Sequence, residues 1–403
     1  MKILSRMMLH LADKHNVSLI LLPTYFRQLK TYRDKGRRIY GCALYGGEPF
    51  LASHIDTVRN ICEHCRELDV PINAVTNGYD LDAYLDLLDE FKFTSLQITL
   101  DGKGAMHDRR RPVVGGGSSY ARIIANIEEA IKREIKVYLR VNVDRQNIDD
   151  LSVLIDDFNA RGFRDNPYCL YYFRAVEPNT SPNPALELND IDVFEKLREL
   201  GLDEREAIER DSIFVVCGRN VLRALEKKKY PELNARYCGA ESGMFVIDAA
   251  GDICSCWGLV GDERHVIGKV DVPGGRFDLN FDMVKWRTRR VHNLENCREC
   301  PYVMQCGGGC AQLAYRQCGT IRIGFCDVFR EAFDHVLQFG CREAWSAARS
   351  TELSKSWREI LSRIDESDRR TLLKTTAPKQ TLDIWKKAAT LKEIFGDAGV
   401  IAQ

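Results

Sequence analysis

Cys297-x2-Cys300-x5-Cys306-x3-Cys310, followed by Cys326, gathers soft-metal donors into one short stretch of the chain. Thiolates at close, fixed spacing wrap an iron–sulfur cluster or a zinc ion, so these residues read as a ligand set rather than as buried free thiols. The pattern extends upstream, where Cys238 is followed by twelve residues, Gly251, four residues and Cys256, with Cys254 close by. Four-thiolate sites suit zinc as well as iron, so spacing alone leaves the metal open.

A second set of reactive types lies in the N-terminal half. In Gly46-Gly47-Glu48-Pro49 the glycines let the backbone approach a ligand and the carboxylate can take an ammonium group; a turn with a helix-capping acid is the plainer alternative. Thr76-Asn77-Gly78 follows, then Thr99-Leu100-Asp101-Gly102, then His107-Asp108-Arg109-Arg110-Arg111. Taken singly, His107 reads as a loop histidine, Asp101 as a turn former and the arginine run as a solvated loop. Gly115-Gly116-Gly117-Ser118-Ser119 looks like a phosphate loop, but no Gly-Lys-Ser/Thr follows it. Cys62-Glu63-His64-Cys65 is a possible metal half-site inside a helical pattern, where an ordinary helix face explains it as well.

These residues need elements to hold them. β-branched and aromatic runs predict strands at 38–45, 72–76, 95–101, 136–143 and 168–174. Apolar residues recurring every three or four positions predict helices at 53–68, 81–91, 120–133 and 148–161. Such alternation implies a parallel sheet, with the chemistry at the carboxyl ends of the strands, where the motifs above stand. Residues 176–235 read as a linker with helices over the mouth of that sheet. Residues 328–403 read as an amphipathic helical tail, in which Trp345, Trp357, Leu361, Ile364, Leu372 and Trp385 can pack on the sheet domain.

Composition sets outer limits. The 403 residues suffice for a full core and two domains. With 58 Lys+Arg against 58 Asp+Glu, nothing electrostatic favours nucleic acid or an anionic membrane as partner. The apolar start of the chain is broken by Asp13, Lys14, His15 and Asn16, leaving 17–22, too short for a signal peptide core or a membrane span. Fifteen cysteines and no export signal point to a reducing, cytoplasmic setting.

In their order, the GGEP tetrapeptide, the Thr99-to-Gly102 turn and the His107-to-Arg111 element resemble the barrel of radical S-adenosylmethionine (radical SAM) enzymes. The cysteine string resembles the SPASM domain that follows this barrel in many peptide- and protein-modifying members, and the likeness covers about residues 40–327. It implies an α/β fold: a partial (β/α)6 TIM-type barrel with linker over 1–235, a SPASM domain over 236–330 and a helical tail over 331–403. It also implies that Gly46, Gly47, Glu48 and Pro49 meet the amino group of S-adenosylmethionine, Thr99 its ribose or carboxylate region and Arg111 its carboxylate, with Asn142 a weaker match. Cys238, Cys256 and Cys310 would hold one auxiliary [4Fe-4S] cluster, with Cys254 the nearest fourth ligand and Cys217 or Cys318 as alternatives. Cys297, Cys300, Cys306 and Cys326 would hold the second.

The activity so implied is oxidoreductase chemistry. Reductive cleavage of S-adenosylmethionine, fed by a donor such as flavodoxin or ferredoxin, gives a deoxyadenosyl radical that takes hydrogen from a peptide or protein substrate. In anaerobic sulfatase-maturating relatives an aspartate follows the cysteine matching Cys256; here Trp257 stands there, which favours peptide crosslinking over formylglycine formation. One motif departs from the family. The C-x3-C-x2-C set that holds the third, SAM-cleaving cluster of full-length members is absent, and Cys42 is the sole cysteine before Gly46. The first barrel strand and its cluster loop are therefore expected to be missing, either because the chain is a fragment or because it kept the fold and lost the chemistry. In the second case it is an inactive iron–sulfur or zinc scaffold that presents a peptide to a partner.

Overall fold

Period-two alternation decides which way each strand faces. The strand Val137–Val143 buries Val137, Leu139, Val141 and Val143 and leaves Tyr138, Arg140 and Asn142 half-buried on its other side. Its neighbours Ser95–Leu100 and Cys169–Ala175 repeat the pattern, with Gln97, Thr99, Tyr172 and Arg174 on the half-buried face. One face is thus apolar and packed under helices, and the other is a polar, open interior. The expected strands all form, shifted by at most one residue at either end, and the four expected helices form, three of them with their first turns wound as 3-10 helix at 52–54, 81–84 and 148–150.

A computed structural model describes residues 5–10, 21–176, 187–227, 231, 233–326 and 328–350. The barrel half runs β1 (Ser5–His10), α1 (Leu21–Asp34), β2 (Ile39–Tyr45), α2 (Ile55–Glu67), β3 (Ile72–Thr76), α3 (Leu85–Phe91), β4 (Ser95–Leu100), α4 (Ala105–Arg110), α5 (Ser119–Lys132), β5 (Val137–Val143), α6 (Leu151–Ala160) and β6 (Cys169–Ala175). Then come α7 (Asp190–Glu199), α8 (Glu204–Arg210), α9 (Ser212–Lys227), β7 (Phe245–Ile247), β8 (Asp252–Cys254), β9 (Val266–Asp271), β10 (Arg276–Leu279), α10 (Asp282–Arg287), α11 (Val303–Cys306), α12 (Ala311–Cys318) and α13 (Phe329–Ser350). The ten strands among the described residues share one sheet, ordered β10-β9-β8-β7-β1-β2-β3-β4-β5-β6. Neighbours from β1 to β6 are parallel, β7 joins β1 in parallel, and β7 to β10 are antiparallel.

The position of the first barrel strand, expected to be empty, is filled. β1 pairs with β2 from Ser5↔Ile39 to His10↔Tyr45 and with β7 from Met7↔Phe245 to Leu9↔Ile247. The expectation leaned on the absent cysteine motif, whereas sheet pairing uses backbone N–H and C=O groups that any strand-forming run supplies. Residues 11–20, between β1 and α1, lie outside the described residues, and their sequence holds no cysteine.

The linker helices also sit differently from the reading of the sequence. α7, α8 and α9 pack along β6, the terminal strand of the sheet, and Asp211 bridges to Phe173 on it, so they cover an edge rather than a mouth. Asp211 then caps α9, its Oδ1 accepting from the N–H groups of Ile213 (2.8 Å) and Phe214 (3.0 Å). α13 packs on α9, with Phe194 stacked on Phe214 at 4.0 Å and His335 edge-on to Phe194. The side chain of Trp345 and all of Trp357, Leu361, Ile364, Leu372 and Trp385 lie outside the described residues.

Candidate functional site

At the carboxyl end of β2 the chain enters the left-handed region twice, at Gly46 (φ 87°) and Gly47 (φ 53°), a path that costs glycine little. The turn sends Glu48 back across the end of β3. Its Oε1 accepts from the Phe50 N–H (3.0 Å) and the Thr76 hydroxyl, and its Oε2 from the Asn77 N–H (2.6 Å). Glu48 therefore clasps two strand ends and caps no helix. The glycines, Glu48, Thr99 and Arg111 all line one open cavity of about 620 Å³; Pro49 is buried behind it.

On the other side of this cavity, sequence reasoning singles out Trp257 alone. Trp257, Gly258, Gln312 and Arg316, all from the cysteine-rich half, line it together with Tyr45 and Asn77. The Trp257 ring lies 5.1 Å from that of Tyr45. Nothing local marks Gln312 or Arg316, because only the pairing of β7 with β1 brings that half alongside β2.

The His107-to-Arg111 element is a brace for this site. Asp101, 6% exposed, accepts from Arg111 Nε at Oδ2 (2.6 Å) and from Asn142 Nδ2 at Oδ1 (3.0 Å). Its backbone N–H donates to His107 Nδ1 at 3.2 Å, and its carbonyl accepts from Asn147 Nδ2 at 2.9 Å. Burial pushes the His107 imidazole down to about 4, so it is neutral near pH 7, with the proton on Nε2 because Nδ1 accepts. Asp108 caps α5 through the Tyr120 N–H (2.8 Å) and the Ser119 hydroxyl (2.9 Å). Arg110 grips Asp144 with two bonds of 2.9 and 2.8 Å, so the arginine run is tied down rather than solvated.

The thiols form two groups. Cys297, Cys300, Cys306 and Cys326 line one small cavity of about 20 Å³, with Arg330 Nη2 3.5 Å from the Cys300 sulfur and 3.6 Å from that of Cys326. Four thiols on one cavity beside a cation fit the donor set of a cluster. Cys256 is buried and pushed up to about 12, first by burial and then by Cys238, Cys310 and Cys254 nearby, while Cys238, exposed at the surface of the chain though crowded by protein on its inner side, is raised in the same direction and also feels Cys310. Cys254 is buried and reaches about 12, through burial and then Asp248, Asp252 and Asp262. Cys217 lies in α9 and Cys318 is exposed at the end of α12. Among the described residues no three His, Cys, Asp or Glu side chains are arranged to hold a single metal ion.

Between the two groups lies Arg289, 3% exposed, which the sequence did not single out. Its guanidinium donates to Ile321 O (2.6 Å), Gly309 O (3.1 Å), Gly308 O (3.1 Å), Ile323 O (3.0 Å) and the Glu241 carboxylate. These acceptors precede Cys326, separate Cys306 from Cys310, and follow Cys238. Gly307 (φ 74°), Gly308 (φ 92°) and Gly309 (φ 70°) let that loop fold onto it, and a Cβ at Gly309 would lie 1.9 Å from Phe325 O.

Cys42, Cys62 and Cys65 are fully buried. Cys42 alternates with Tyr45 along β2, which puts it on the face under α2, away from the cavity. There Cys42 and Cys65 share a hydrogen bond, which with burial raises the Cys65 thiol.

Residues 20–158 match the family model described as the Radical SAM superfamily. A pre-heme d1 synthase of Dinoroseobacter shibae is 31% identical over 128 residues, a match that spans 31% of this chain and only 30% of that protein. Among solved structures, anSMEcpe with bound AdoMet superposes with a TM-score of 0.62 at 13% identity, over 88% of this chain and 97% of that one. Streptococcus suis SuiB bound to precursor peptide SuiA gives 0.54 at 15% identity, over 81% of this chain and 76% of that one. At these identities the likeness is one of fold.

Proposed function

We propose that this chain, whose residues 20–158 match the Radical SAM superfamily model, holds S-adenosylmethionine at the carboxyl ends of β2 to β4 and works on a peptide, as a radical SAM/SPASM protein of the maturase type. One observation carries the reading: Gly46, Gly47, Glu48, Thr99 and Arg111 line a single cavity to which the cysteine-rich half also contributes wall residues. Gly46 and Gly47 let the ligand approach the backbone, Glu48 fixes that turn against β3, and Thr99 offers a hydroxyl. Asp101 takes the Nε of Arg111, which leaves the other N–H groups of that guanidinium to a carboxylate. Trp257 and Tyr45 pack ring against ring on one wall of the cavity.

Cys297, Cys300, Cys306 and Cys326 would hold one auxiliary cluster, and Cys238, Cys256 and Cys310, with Cys254 nearest as fourth ligand, the other. Bound there, iron–sulfur clusters supply one-electron chemistry at a potential set by burial and hydrogen bonding. A SAM-cleaving cluster does not fit the residues present: among the described residues no cysteine lines the cavity, and 11–20 contain none. That mismatch favours a second reading, an inactive scaffold that presents a peptide to a partner. Support for a peptide ligand comes from the fold relatives anSMEcpe and SuiB, which bind peptides. We place the protein in the cytoplasm, served by a flavodoxin- or ferredoxin-type donor, on its cysteine usage; no described helix is long and apolar enough to cross a membrane.

Ligand-observed NMR with millimolar S-adenosylmethionine tests the cavity. Weak binding is expected, reduced about tenfold or more in Arg111→Ala by loss of a charge-assisted contact. No binding, or binding that Arg111→Ala leaves unchanged, would remove the cofactor from this cavity. Dithionite should yield no deoxyadenosine from residues 1–403 alone, and its appearance would show that the cluster ligands are misread.

A further inference from the structure

Across the barrel interior one register row reads Thr99 on β4, Arg140 on β5 and Tyr172 on β6. Thr99 lines the cofactor cavity, so Arg140 stands one strand beyond it, at the same level on the polar face. Tyr45, from the cavity wall, and Tyr172 both lie within electrostatic reach of its guanidinium. Tyr172 is itself fixed, its hydroxyl donating to Gln97 Oε1 at 3.0 Å.

The carboxylates of this interior are already engaged. Asp101 holds Arg111, Asp144 holds Arg110, Asp190 holds Arg174 at 2.7 Å, and Glu48 is bound by the end of β3. Arg140 differs. Among the described residues it makes one hydrogen bond, from Nε to the neutral Asn142 Oδ1 at 2.9 Å, and it joins no ion pair. A guanidinium has five N–H donors in a planar fork suited to a carboxylate, and at this half-buried position the bond to Asn142 takes up one of them. Asn142, held in turn by Asp101, fixes the direction of the fork.

We propose that Arg140 binds a carboxylate of the peptide substrate, an acidic side chain or a C-terminus, and holds it inside the barrel between Tyr45 and Tyr172, beside the cofactor cavity. The inference rests on the peptide reading above and narrows it to peptides that bring a carboxylate to the reacting residue. Arg140 is a positioning and specificity residue.

The test uses the full chain, reconstituted anaerobically with iron and sulfide, and three probes: acetyl-Gly-Glu-Gly-amide, acetyl-Gly-Gln-Gly-amide and acetyl-Gly-Gly-Gly with a free C-terminus. Affinities are read by ligand-observed NMR, with S-adenosylmethionine titrated on the same samples. A carboxylate probe should bind at least about tenfold more tightly than the amide, as a charge-assisted bidentate contact requires. Whether the Glu probe or the free acid wins tells which source the site takes. Arg140→Gln should abolish the preference while leaving S-adenosylmethionine binding unchanged, and Arg140→Lys should keep the preference at reduced affinity. Equal binding of all three probes to the unaltered chain overturns the proposal, and that result depends on no variant folding. Loss of S-adenosylmethionine binding in Arg140→Gln, with the probe preference intact, would assign the residue to the cofactor and also overturn it. Failure of the broader functional reading looks different: no iron and no S-adenosylmethionine bound, with the carboxylate preference still present.

Discussion

Replacing Arg289 by methionine removes the cation from a buried pair whose partner, Glu241, is 0% exposed, and strips the donors from four backbone carbonyls. Leaving a buried charge without its partner costs about 3–5 kcal/mol. The four carbonyls add roughly 1 kcal/mol each, less whatever water or relaxation recovers. Against a typical domain stability of about 5–15 kcal/mol, the change should leave the cysteine-rich half marginal or unfolded at 25 °C. Urea unfolding of the anaerobically purified apo chain measures it, with fluorescence of Trp286, 1% exposed and three positions from Arg289, as the local reporter. Adding Glu241→Gln should recover part of the loss, because the unpaired carboxylate is gone while the carbonyls stay unsatisfied. Iron content should fall at both thiol groups together, since the acceptors of Arg289 adjoin Cys238, Cys306, Cys310 and Cys326. A loss below about 1 kcal/mol, or a double variant no more stable than Arg289→Met, would refute this reasoning.

Cys300→Ala or Cys306→Ala should lower bound iron by about half, to one cluster's worth, because each removes a ligand from the four-thiol cavity and leaves the other group intact; iron analysis of anaerobically reconstituted protein checks this, and unchanged iron in both would remove that cavity as a cluster site. His107 gives a pH dependence. Its folded value of about 4 lies below the ordinary 6.5, so the unfolded chain takes up the proton first, and stability that is full above about pH 6.5 falls as pH drops towards 4. The loss is on the order of 3 kcal/mol, and urea midpoints at pH 7 and pH 4.5, compared with those of His107→Asn, should show it in the unaltered chain and not in the variant.

Much of the barrel was legible because its signals are local. Alternation along β4, β5 and β6 fixes both the strands and their faces, and Gly46-Gly47-Glu48 and Thr99 declare themselves by type and order. Cys297, Cys300, Cys306 and Cys326 were readable for the same reason, each being placed by short spacing from the next or by its position after the run. What escaped depends on distant pairing. β1 has six residues and little alternation, and it exists through β2 on one side and β7 on the other. Trp257, Gln312 and Arg316 reach the cavity only because of that junction, and Arg289 is one arginine of a basic run until the Gly307–Gly309 loop folds onto it. The linker was misplaced because the composition of residues 176–235 tells of helices and says nothing of the sheet edge they cover.

Counting metal decides whether the two thiol groups beside the barrel are iron–sulfur sites. The full chain, reconstituted anaerobically with iron and sulfide, should bind about eight irons with matching sulfide, four for each thiol group. Zinc retained in these sites after reconstitution, or no bound iron at all, would rule out iron–sulfur clusters at both thiol groups.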